Sequence, residues 1–119
     1  MKSKYLISIF IAVVLISFGL YYFINNGNPI SNYRMTNNTE EYLVGKGYEQ
    51  TEIESIHSTY DLKRNTERIK GTVSYVVFTD EPNIKYEYIQ WKDSNNIQQA
   101  CPSTKVNLTH KDKDCTEKY

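Results

Sequence analysis

TVSYVVFTDEPNIKYEYIQW, residues Thr72–Trp91, is the stretch that decides the fold. From Thr72 to Thr79 it is β-branched and aromatic, with a polar alternate only near its start, as in a central strand covered on both faces. Asp80-Glu81-Pro82-Asn83 then supplies turn chemistry: Asp opens the turn, Glu81 is solvated, and Pro82 fixes its own φ. Ile84 to Trp91 alternates Tyr86 and Tyr88 against Glu87 and Ile89, so the chain returns as the second arm of a hairpin. Upstream, Thr51 to Leu62 places Ile56, Tyr60 and Leu62 on one parity and Ile53 on the other, which predicts a strand with a bulge near Ser55. Lys63 to Lys70 reads as the polar loop joining these strands.

Further upstream, Ser31 to Lys46 predicts a helix, with Tyr33, Tyr42 and Leu43 as apolar positions, Glu40 and Glu41 as good helix formers, and Gly47 as the stop. Asn37, Asn38 and Thr39 weaken its middle, so a shorter helix capped by Asn38 or Thr39 is the alternative. One helix followed by a three- or four-stranded antiparallel meander is an α+β domain. Asn25-Asn26-Gly27-Asn28-Pro29 is a turn-rich break before it, where Pro29 either extends a linker or enters the first turn of the helix.

The amino terminus sets the address. Lys2 and Lys4 precede an uncharged, mostly apolar run from Tyr5 to Ile24. Twenty residues of helix rise about 30 Å, the thickness of the hydrocarbon core of a bilayer. A body this small could hardly bury a helix that is apolar on every side. No small-residue cleavage site follows the run, since Tyr21, Tyr22, Phe23, Ile24, Asn25 and Asn26 come next, so an uncleaved anchor is read in preference to a signal peptide. Tyr21 and Tyr22 fit the aromatic belt at the outer interface, and the two lysines hold their flank in the cytoplasm, which places the body outside. The division is a transmembrane signal-anchor at 1–24, a linker at 25–30, an extracytoplasmic α+β domain at 31–110, and a polar, frayed tail at 111–119.

The whole chain balances 14 Lys+Arg against 14 Asp+Glu; without residues 1–24, which hold Lys2 and Lys4, the remaining 95 residues carry 12 basic and 14 acidic side chains, a net charge of about −2. That is no footprint for nucleic acid and no polybasic membrane patch.

Glu41-Tyr-Leu43, Gly47-Tyr48, Ile53-Glu-Ser-Ile56 and, above all, the segment from Val77 to Tyr88 (VFTDEPNIKYEY) resemble the domain of unknown function 3139 family. These are short membrane-associated proteins of Firmicutes that pair a hydrophobic amino terminus with a small body. The resemblance implies size, membrane location and a Gram-positive bacterial setting, and it brings no catalytic residues. The region after Ser94, with both cysteines, departs from that pattern.

Cys101 and Cys115 are the only cysteines. Outside the cell nothing keeps them reduced, so a disulfide is the natural pairing; the rival is a metal set of Cys101, His110, Asp112 and Cys115, whose spacing matches no standard zinc pattern. Asp80 and Glu81 alone offer too few oxygens for calcium, which takes about six to eight. The Asp-Glu turn with its flanking aromatics, Phe78, Asp80, Glu81, Tyr86 and Tyr88, is the candidate interaction surface, weighed against ordinary sheet packing of the same tyrosines. His57 and His110 have no neighbouring nucleophile or carboxylate at a triad spacing, so no catalytic residue, cofactor or metal is expected. The functional expectation is a non-enzymatic, single-pass membrane protein whose outward domain binds a protein or peptide at the cell envelope. Its alternatives are an immunity or stress protein acting through the transmembrane helix, and a secreted factor released by cleavage.

Overall fold

The computed structural model describes residues 2–103 and 107–117. Helix α1 (Lys2–Asn26) is followed by α2 (Pro29–Gly45) and a single 3-10 turn at Gln50–Glu52. Four strands come next, β1 (Ile53–Tyr60), β2 (Thr72–Phe78), β3 (Glu81–Gln90) and β4 (Ile97–Gln99). They form one antiparallel sheet in the order β1-β2-β3-β4, with α2 packed on one face. The α+β expectation holds, and the strand predicted as central is central.

Helix α1 is apolar on every side and is long and apolar enough to cross a membrane: its best window has a mean hydropathy of 2.5 and none of it is buried in the protein. Every side chain from Tyr5 to Ile24 except Val14 is exposed.

The linker expected at 25–30 contracts to two residues. The Gly27 N–H closes the last turn of α1 on the Phe23 carbonyl at 2.8 Å, and Asn28 caps α2 by accepting the Ile30 N–H at 3.0 Å. Pro29 enters the first turn, where a missing N–H costs nothing. Gly27 turns the chain between the helices at φ 72°, buried against the Tyr60 side chain. Gly27→Ala would carry a Cβ into the Tyr60 side chain from a left-handed backbone. It is expected to cost about 2 kcal/mol or more, read as a lower thermal midpoint of the full chain in detergent.

The shorter-helix alternative is overturned, because α2 runs unbroken through Asn37-Asn38-Thr39. Thr39 is buried, with its Oγ1 2.7 Å from the Met35 carbonyl and 2.9 Å from Ser74 Oγ. Ser74 Oγ lies 2.7 Å from Ser58 Oγ, which lies 2.6 Å from Thr36 Oγ1. This chain of hydroxyls satisfies polar groups under the helix that would otherwise be costly to bury.

Pairing continues that row across the sheet, as Ser58 faces Ser74, Ser74 faces Tyr88, and Tyr88 faces Gln99. Beside it Leu43, Val76, Phe78, Tyr86 and Tyr88 make the main core under α2. Ile69, Val73, Ile89 and Ala100 make a smaller core on the opposite face. Ile69 explains the second cluster: it belongs to the loop at 63–70 yet is fully buried and bridges to Trp91.

The bulge in β1 falls between Ile53 and Ser55, as the parity break predicts. The hairpin turn is tighter than predicted. Phe78 pairs directly with Glu81, leaving only Thr79 and Asp80 at the tip, while Pro82 to Lys85 bulge out of register before Tyr86 pairs with Val76. Pro82 has no N–H to donate, and an irregular start of a strand is where a proline is tolerated.

Of the tail expected to fray at 111–119, the chain is held down as far as Thr116, and 118–119 lie outside the described residues. Ala100 and Thr116 form a parallel bridge. Cys101 N–H reaches the Thr116 carbonyl, and Thr116 N–H the Gln99 carbonyl, both at 2.9 Å. Alternating charge predicts solvation, but backbone pairing, the disulfide at Cys115 and side-chain bonds from Gln99 and Lys46 dock this segment.

Candidate functional site

Phe78, Tyr86 and Tyr88 are fully buried, so the interaction surface read from the sequence is not formed by them; they are core. Only Asp80 of that set is exposed. Glu81, expected to be solvated, is the first residue of β3 and accepts the Tyr86 hydroxyl at 2.7 Å.

What the fold adds to Asp80 and Glu81 is His110, from the strap that follows β4. Its Nε2 lies 2.7 Å from Asp80 Oδ1 and 3.9 Å from Glu81 Oε1. Its Nδ1 lies 3.2 Å from the Tyr48 hydroxyl, and its backbone N–H donates to the Tyr86 hydroxyl at 3.3 Å. The imidazole stacks on the Phe78 ring at 4.0 Å, with Tyr48 and Tyr86 at its other sides. The ring is thus set in an aromatic socket with one nitrogen turned to two carboxylates. Burial and the hydrogen bond to Glu81 hold Tyr86 protonated well above the ordinary phenol range, so it stays a donor to Glu81.

Gln99 puts the strap in place. Fully buried, it donates from Nε2 to the His110 carbonyl at 2.9 Å and to the Tyr88 hydroxyl at 3.1 Å, and it accepts the Asp112 N–H on Oε1 at 2.8 Å. Burial, the largest effect on Tyr88, pushes its ionisation far upward. Lys46 ties the same strap to the end of α2, reaching Asp112 at 2.9 Å and Asp114 at 3.2 Å. Burial alone would favour its neutral amine, but hydrogen bonds with Tyr42, Asp112 and Asp114 outweigh that and keep it charged.

The cysteines stand as expected, with Cys101 and Cys115 bonded in a disulfide, Cα atoms 4.9 Å apart. The rival metal set is dispersed accordingly. Both sulfurs are spent on each other, Asp112 faces Lys46, and His110 faces the hairpin tip. Among the described residues, the three that bring metal-ligating atoms together are Asp80, Glu81 and His110, with those atoms within 4.8 Å of one another. No spacing in the sequence signals that grouping, because His110 lies 30 residues from Asp80 and its position depends on Gln99. His57, on β1, is exposed and apart from it.

A family model described as "Protein of unknown function (DUF3139)" matches residues 2–88. The match takes in both helices, β1, β2 and most of β3, including Asp80, Glu81 and Tyr86; Gln99, His110 and the disulfide lie beyond it. Neither the curated proteins nor the solved structures contain a match to this chain. With nearly three quarters of its length matched, from the apolar first helix to the hairpin, the chain belongs to the DUF3139 family.

Proposed function

We propose that this protein is a membrane-anchored, non-enzymatic binding module, tethered by α1 and displaying its disulfide-closed body outside the cytoplasm to a protein or peptide of the cell envelope. The observation that carries the reading is α1 itself: a helix with apolar side chains on every side, none of which is buried in the body. Buried in lipid, those side chains would leave water, at roughly 25 cal/mol per Å2 of apolar surface. Lys2 and Lys4 support an inside amino terminus by the positive-inside bias, and the disulfide supports an oxidising compartment for the body.

The junction supports the same arrangement. A cavity of about 410 Å3 between the end of α1 and the sheet is lined by Phe23, Ile24, Tyr60 and Leu62 among others. Leu62 is exposed, so this rim offers apolar surface where the helix would leave the bilayer.

Thiol accessibility tests the proposal. In intact cells expressing the full chain, a membrane-impermeant maleimide is expected to label Cys101 and Cys115 only after reduction, with the protein retained in the membrane fraction. Labelling that requires lysis would reverse the topology. A product in the medium whose amino terminus begins after about residue 24 would replace the anchor with a cleaved signal peptide.

A further inference from the structure

We propose that Asp80, Glu81 and His110 form a binding site for a divalent transition-metal ion of the zinc type, closing the β2–β3 hairpin tip onto the carboxy-terminal strap. Zinc takes imidazole nitrogen and carboxylate oxygen at about 2.0–2.2 Å, so tetrahedral ligand atoms stand about 3.4 Å apart. Here His110 Nε2 is 2.7 Å from the Asp80 oxygen and 3.9 Å from the Glu81 oxygen, values that bracket that spacing. To admit the ion the Asp80 carboxylate would turn away from its 2.7 Å contact with His110, and its side chain, 56% exposed, lies at the surface. An imidazole with two carboxylates favours zinc over calcium, which needs more oxygens than this site brings.

The surroundings prepare the ligands. With the Tyr48 hydroxyl oxygen accepting from Nδ1–H, the imidazole can give up the Nε2 proton that its hydrogen bond to Asp80 holds and offer that lone pair to the metal. The Tyr86 hydroxyl donates to the Glu81 oxygen, orienting that carboxylate, and the Phe78 stack holds the plane of the imidazole. Both His110 and Glu81 are mostly buried, at 12% and 16% side-chain exposure, while Asp80 lies at the solvent edge. The fourth position faces water on the Asp80 side and would take a water molecule. Binding replaces whatever proton Nε2 shares with Asp80, and that proton leaves to solvent.

The test is calorimetric titration of zinc into the full chain in detergent after chelator treatment, with calcium in parallel. One equivalent of zinc is expected to bind and to raise the thermal midpoint, with calcium inert. Asp80→Asn and Glu81→Gln should each weaken zinc by about 10-fold or more, and Tyr48→Phe by about 10-fold through loss of the imidazole's partner. His57→Gln, on an exposed face of β1, should bind as the wild type does. Asp80→Asn keeps an oxygen that can accept from His110 Nε2–H, so its metal-free midpoint should shift by no more than a few degrees while zinc binding weakens, which separates lost ligation from lost folding. Zinc that binds wild type and Asp80→Asn alike, or no binding at millimolar zinc, would overturn the site and leave a hydrogen-bonded His–carboxylate clasp in its place.

Discussion

Phe78→Ala is expected to lower the unfolding free energy by about 3–5 kcal/mol, the range for deleting a buried phenylalanine when the cavity cannot collapse. Phe78 is fully buried at the end of β2, and its ring meets three others: His110 at 4.0 Å, Tyr48 at 5.0 Å and Tyr86 at 5.4 Å. Those rings come from the strap, the α2–β1 connection and β3, so none can move into the gap without giving up its own hydrogen bond. A small body has only about 5–10 kcal/mol in total, so the variant should be near the edge of folding at ambient temperature. Urea unfolding of the full chain in detergent, followed by the single tryptophan Trp91, reads the change away from α1. A loss below about 1 kcal/mol would mean that the four rings do not pack as one unit.

Reduction is expected to have the next largest effect. Cys101 and Cys115 are 14 residues apart, and for a loop of that length the chain-entropy account gives about 3 kcal/mol. For a body of this size that corresponds to a fall of about 15 °C in thermal midpoint. The wild type should lose this on adding reductant, and the double variant Cys101→Ser, Cys115→Ser should start at the lower midpoint and ignore reductant. A wild-type midpoint indifferent to reductant would show that the bridge does not form or does not stabilise. The loss should be centred on the strap, since the bridge lies beside the Ala100–Thr116 pairing and the Gln99 bonds to His110 and Asp112. In the double variant, hydrogen exchange at Asp112 and Thr116 should therefore speed up before exchange in β2 does.

Local patterns were legible where periodicity and backbone chemistry act over a few residues. The valines of β2 announced a central strand, the parity break at Ile53 announced the bulge, and Gly47 marked the end of α2. Patterns misled where a residue's environment comes from elsewhere. Thr39 looked like a weak point or a cap for α2, yet Ser58 and Ser74 supply hydroxyls that make its burial affordable. Tyr86, Tyr88 and Phe78 looked like an aromatic edge, because alternation cannot reveal that a second segment covers a face. Glu81 looked solvated until the tight Thr79-Asp80 tip moved it into β3 beside Tyr86.

The candidate site was half legible for the same reason. Asp80 and Glu81 are adjacent and were visible as a pair, but a pair of carboxylates carries little meaning alone. His110 joins them through a chain of dependencies: β4 pairs with β3, Gln99 is thereby buried beside Tyr88, and its amide fixes the backbone of the strap. Each step is a contact between distant parts of the chain.

By itself the sequence determined the long apolar first helix, the family and the α+β class, because these depend on composition and short periods, while for the two cysteines it favoured a disulfide over a metal set that only the fold disperses. The tertiary structure decided which tyrosines are core, where the hairpin turns, and that the polar end of the chain is a docked strap carrying a histidine to two carboxylates. Those outcomes rest on burial and on hydrogen bonds across tens of residues, and neither leaves a local trace in the order of amino acids.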